Sequence, residues 1–100
     1  MNVQERHIQK GIKAENAYRE WEQKWETLEK RIGGFPTKRH YSLISGSDDN
    51  GTIVWEREWA SLAAMEAAYD KMFADPEATS LLSSAPGIEN GERVELYVVW

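Results

Sequence analysis

A chain of 100 residues, 41% hydrophobic and 29% charged, has the length and composition of one folded domain, residues 1–100. Its net charge of −5 opposes non-specific attraction to nucleic acid or to an anionic membrane, and the absence of cysteine excludes disulfides, thiolate nucleophiles and cysteine-held metal centres. No apolar run is long enough for a signal peptide or a membrane span, so the expected location is cytoplasmic.

Residues 3–12 read as a first strand, diluted by Gln4, Arg6, Gln9 and Lys10. From Ala14 the period changes: Ala14, Tyr18, Trp21, Trp25, Leu28 and Ile32 recur at three and four residues and predict one apolar helical face. Glu15 with Arg19, Glu20 with Lys24 and Glu26 with Lys30 are i,i+4 pairs on its charged side. Gly33-Gly34 stops that helix and Pro36 prevents its continuation. Residues 35–45 then read as a second strand, and residues 46–51 as a turn into a third over residues 52–59.

Ser61 is a cap for a second helix whose predicted core face is Leu62, Met65, Tyr69, Met72 and Phe73. Asp75-Pro76-Glu77 starts a short further helix that ends at Pro86-Gly87. The last strand is predicted over residues 94–100. Two strand-helix-strand halves make a β-α-β-β-α-β chain: an α+β, ferredoxin-like domain in which a four-stranded antiparallel sheet carries two helices on one face.

Strand side chains alternate between faces, so two sets separate. Ile53, Trp55, Trp59, Val94, Leu96, Val98, Trp100, Tyr41 and Leu43 are expected to meet the helices. Glu5, His7, His40, Ser42, Ile44, Val54, Glu56, Glu58, Arg93, Glu95, Tyr97 and Val99 are expected on the other face. That second set is neither a dry core nor an ordinary solvated surface.

The segments Trp55-Glu56-Arg57-Glu58-Trp59, Ser61-Leu62-Ala63-Ala64-Met65-Glu66-Ala67-Ala68-Tyr69, Ala74-Asp75-Pro76-Glu77 and Val94-Glu95-Leu96-Tyr97 resemble the dimeric α/β-barrel superfamily, nearest its NIPSNAP type. The polar first strand departs from that pattern, as does the absence of a Pro-Gly turn before the first helix. The resemblance implies a homodimer in which the open sheet face packs on the same face of a second copy and encloses a space for a small organic ligand. It also implies a range of activities, among them cofactor-independent monooxygenases, haem-degrading enzymes and cyclases, so fold membership leaves enzyme and binding protein both open.

Within such an enclosure His7 is the candidate general base, Glu56 the carboxylate orienting it and Tyr97 the donor to a developing oxyanion. His40, Ser42, Val54 and Glu95 are the candidate ligand-binding residues. The chemistry expected of this set is that of a cofactor-free monooxygenase, isomerase or cyclase. A plainer account stands beside it. A strand histidine next to glutamate is commonly part of a satisfied polar seam, Glu56 and Glu95 suit cross-strand pairing with basic residues, and the tryptophans fall on core phases.

Other chemistries find less support. There is no short-range metal-ligand motif, the serines Ser42, Ser45 and Ser47 lack a nucleophile-elbow context, and Gly33-Gly34 is too short to cradle phosphate. The resemblance would place an axial histidine for haem on the second helix, and residues 61–75 hold none. Strand three lacks the basic aromatic platform of an RNA-recognition domain. The expectation is therefore no cofactor, no metal, no nucleic acid and no membrane.

Overall fold

Alternation in the strand segments and the three-four spacing of the helices resolve into seven elements. The computed structural model describes residues 1–46, 48 and 51–100. In chain order they are β1 (Val3–Gln9), α1 (Glu15–Ile32), β2 (Arg39–Ser42), β3 (Ile53–Trp59), α2 (Leu62–Phe73), α3 (Pro76–Ser83) and β4 (Glu92–Val98). The strands form one antiparallel sheet in the order β2-β3-β1-β4, the expected α+β ferredoxin-like arrangement.

Each helix ends where its sequence provides an end. Gly33, at φ 83°, closes α1 by donating its backbone N–H to the Glu29 carbonyl at 2.8 Å, in the left-handed region glycine tolerates. Ser61 Oγ accepts from the Ala64 N–H at 3.0 Å at the start of α2, and the Asp75 carboxylate accepts from the Glu77 N–H at 2.9 Å ahead of Pro76 in α3. Arg31 then donates to Asp75 at 2.8 Å and Glu77 at 3.0 Å, fastening the end of α1 to the start of α3.

The apolar core lies between the helices and the sheet. Trp25, Leu28, Met72, Ala78 and Leu81 pack the helices on one another, while Val3, Trp59 and Ala68 join sheet to α2, with Phe35 and Tyr69 against them. Tyr18, Ile12 and Ile53 fill the other end. From the predicted helical faces, Leu62 and Phe73 stay largely exposed.

Three strand boundaries differ from expectation. β1 stops at Gln9 because Gly11 turns the chain at φ 73°, where an added Cβ would lie 2.9 Å from the Asn90 backbone nitrogen; Ile12 makes only an isolated bridge to Ile88. β2 is confined to four residues, since Phe35 leaves the sheet plane to pack edge-on against Trp59 and Tyr69. β4 begins at Glu92 and leaves Trp100 beyond its end, fully exposed. Of the expected turn at residues 46–51, Ser47, Asp49 and Asn50 lie outside the described residues.

The register overturns the expected sorting of faces for β1 and β2. β1 pairs His7 with Trp55 and Glu5 with Arg57, and β2 pairs His40 with Trp55 and Ser42 with Ile53. Directly opposed residues in an antiparallel ladder point to the same side. His7, Glu5, His40 and Ser42 therefore face the helices, not the open side. The open side carries Arg6, Ile8, Tyr41, Val54, Glu56, Glu58, Arg93, Glu95 and Tyr97, so Tyr41 is also moved from its expected place. Val94, Leu96 and Val98 do lie on the helix side, but at 53%, 51% and 54% exposure they are left uncovered along the β4 edge.

Candidate functional site: a charged floor beneath an aromatic cleft

β3 places Arg57 in phase with Ile53, Trp55 and Trp59, and so carries a guanidinium into the core. A buried cation needs partners. Arg57 Nε donates to Glu5 Oε1 at 3.1 Å, one terminal nitrogen donates to Glu29 Oε1 at 2.9 Å, and the other to the Tyr69 hydroxyl at 2.6 Å. Glu5 collects further donors: Trp59 Nε1 at 2.8 Å, Tyr69 OH at 2.5 Å and the His7 ring at 2.6 Å. Burial alone would raise the Glu5 carboxyl, but hydrogen bonds from His7, Tyr69 and Trp59 and the charge of Arg57 bring it down to about 2. Burial raises the Tyr69 phenol, which stays a protonated donor.

His7 stands at the open end of this floor. Its Nε2 meets Glu5 and its Nδ1 meets Glu92 of β4 at 2.8 Å, while Gln9 donates to the other Glu92 oxygen at 3.0 Å. Burial would lower the imidazole, yet the two carboxylates outweigh it and raise its pKa above the ordinary value. Glu92 is lowered in turn, first by its hydrogen bond with His7. The ring stacks on Trp55 with centroids 3.8 Å apart and planes 11° from parallel, and the Lys38 ammonium sits 4.1 Å from the Trp55 ring centroid.

A second set of charges flanks the first. On α1, Glu22 and Glu29 fall on the stripe of Tyr18 and Trp25 and are buried with it. Lys38 Nζ reaches Glu22 at 3.2 Å and Glu29 at 3.5 Å, and the His40 ring reaches Glu22 at 3.1 Å. Among the described residues no buried side-chain polar atom lacks a hydrogen-bond partner.

Above this floor lies a cleft of about 140 Å³ walled by Trp21, Trp25, Trp55, Met72, Phe73 and Leu82, with His7, Lys38 and Glu92 at its polar side. That volume is on the scale of a cavity that holds one benzene ring. A separate groove of about 280 Å³ opens between α1 and β2, where Tyr18, Arg19, Glu22, His40, Tyr41 and Ser42 line it.

The expected trio is not brought together. His7 lies under the helices, whereas Glu56 and Tyr97 are on the opposite face, Glu56 accepting from Arg6 Nε at 2.9 Å and Tyr97 OH donating to Glu95 at 2.5 Å. Of the expected ligand-binding residues, His40 and Ser42 line the α1–β2 groove, while Val54 and Glu95 line a hollow on the open face with Arg6 and Glu56. The residues that sequence reasoning missed are Arg57, Glu22, Glu29, Lys38, Tyr69 and Glu92. Two signals point to three of them: Arg57 alternates with Trp55 and Trp59, and Glu22 and Glu29 keep helical spacing with Tyr18 and Trp25.

No protein-family model matches the chain, and no curated protein matches it. Solved structures do. A NIPSNAP-family protein from Agrobacterium tumefaciens superposes with a TM-score of 0.68 at 12% identity, over 98% of this chain and 92% of that one. This chain shares that protein's fold. An uncharacterized NIPSNAP domain protein from Burkholderia xenovorans gives a TM-score of 0.65 at 16% identity, over 100% and 95% of the two chains. SnoaB, a cofactor-independent oxygenase from Streptomyces nogalater, gives 0.64 at 17% identity, over 99% and 93%. Identities this low carry a shared fold alone. Among the described residues no helix is long and apolar enough to cross a membrane.

Proposed function

We propose that this protein binds a small planar organic molecule, of the size of one aromatic ring bearing a hydroxyl or carbonyl, in the cleft between helices and sheet. The observation that carries the reading is Trp55 stacked on His7 at the floor of a cleft with apolar walls and one polar side. Aromatic walls favour a flat ligand, stacked pairs being worth about 0.5–1.5 kcal/mol beyond the area they bury. Polar groups gathered at one side fix its orientation. The binding place is thus the helix side of the sheet, in place of the partner side first expected. The working unit in this reading is a homodimer joined through the open sheet face.

A second reading, a cofactor-free oxygenase, isomerase or cyclase, is supported by the fold shared with SnoaB. In it His7 serves as a fixed cation beside a phenolate or enolate. Both of its ring nitrogens are engaged by carboxylates and its pKa is raised, which suits electrostatic stabilisation better than proton transfer.

Binding is tested by following the tryptophan indole N–H resonances during titration with phenol, with cyclohexanol as the non-planar comparison. Phenol should produce saturable shifts at Trp21, Trp25 and Trp55, and Trp55→Leu should weaken binding about tenfold. Shifts that never saturate, or an affinity untouched by the substitution, would reject the cleft as the site.

A further inference from the structure

The two histidines are held in opposite ways. His7 has a carboxylate on each nitrogen. His40 has one: its Nε2 lies 3.1 Å from Glu22 Oε2, and its Nδ1 has no partner among the described residues. Glu22 is 5% exposed, and the His40 side chain is 31% exposed in the groove between α1 and β2. This is the arrangement of a positioned base: a buried acceptor fixes the ring and leaves the far nitrogen facing solvent.

We infer that His40, oriented by Glu22, is a general base that removes a proton from a small enolisable carbonyl compound bound in the α1–β2 groove. The inference is separate from the proposed ligand cleft, which neither His40 nor the groove's other wall residues, Glu22 apart, helps to line.

The tautomer follows from the bonding. Burial would raise the Glu22 carboxyl, but His40 and Lys38 lower it, so it is an ionised acceptor and the proton of the neutral ring resides on Nε2. The Nδ1 lone pair is then free for a substrate proton. Arg19, Gln23, Glu26 and Tyr18 line the groove from α1, and Ser42 from β2. In the reaction Nδ1 takes the α C–H proton, the C–H electron pair becomes the enolate double bond and the carbonyl π pair moves to oxygen. Ser42 and Arg19, which line the groove, carry donors for that oxygen. The imidazolium returns the proton to the α carbon or to the enolate oxygen, which closes the cycle without a cofactor.

The test uses 5-nitrobenzisoxazole, a planar probe in which a base removes the ring C–H proton, the N–O bond breaks and a coloured cyanonitrophenolate is released. The protein should accelerate this elimination about 10²-fold over buffer. His40→Ala should return the rate to the buffer level, and Glu22→Gln should lower it about tenfold and move the pH at half-maximal rate downward. Nitrogen chemical shifts of the imidazole should show neutral His40 protonated on Nε2. A rate no faster than free imidazole, full activity in His40→Ala, or a neutral ring protonated on Nδ1 would each overturn the base assignment. An unchanged pH profile in Glu22→Gln would remove Glu22 from it.

Discussion

Arg57 is the residue on which the polar floor turns, because it touches Glu5, Glu29 and Tyr69 together. Removing one member of a buried, hydrogen-bonded charge set is costlier than replacing the whole set with apolar groups. Arg57→Met should therefore destabilise the protein by about 3 kcal/mol, near the low end of the usual range because Glu5 keeps Trp59 and His7, and Glu29 keeps Lys38. Urea unfolding measures it, and a loss below about 1 kcal/mol would show that the guanidinium is dispensable. Arg57 also shows what a single strand discloses. Its alternation with Trp55 and Trp59 marks it as inward from sequence alone, whereas His7 faces Trp55 only through the pairing of β1 with β3. Parity along one strand says nothing about which parity of its neighbour lies opposite, and a slip of one residue transfers every side chain to the other face.

At the scale of elements, the helices and the order of elements along the chain were legible, since spacing, caps and glycine stops are local signals. The short β2 and the early start of β4 were not, because packing by Phe35 and pairing with β1 decide them. β4 is attached to the rest of the site through Glu92, which His7 and Gln9 hold from β1. This clamp predicts a pH window. Glu5 is depressed from 4.5 to about 2, so the stability it contributes is complete above 4.5 and fades as the pH falls from there toward 2. His7 is raised above 6.5, so its contribution is complete below 6.5 and is lost as the pH climbs through the higher folded value. The urea midpoint should be highest between pH 4.5 and 6.5 and decline on both sides. His7→Gln should flatten the alkaline decline and keep the acid one. A midpoint that stays constant above pH 6.5 in the parent protein would contradict the clamp.

The molecule as a whole is a slab of 35 × 34 × 17 Å, one sheet and one helical layer thick. One broad face therefore has no second layer. That face mixes Val54, Tyr41 and Tyr97 with internally paired charges: Arg6 bonds Glu56 at 2.9 Å and lies 5.3 Å from the Tyr97 ring centroid, and Arg93 meets Glu95 at 3.2 Å. Charges already neutralised within the sheet are cheaper to cover than free ones, so a second copy docking there need not supply opposite charge. A chain this short also gains from burying more surface, since a domain of its size hides only about two thirds of what the unfolded chain exposes. Sedimentation equilibrium at micromolar concentration should give twice the 11.5 kDa of the chain. Val54→Lys, which puts an unpaired ammonium at the middle of the face, should weaken the association at least about tenfold, the cost of leaving one buried charge unmatched. The fold of the separated protomer should persist, because the cleft, the groove and the charged floor all lie on the helix side and none is built from the open face. A parent protein that sediments as a monomer would leave that face to water, and the α1–β2 groove and aromatic cleft would then have to work within a single chain.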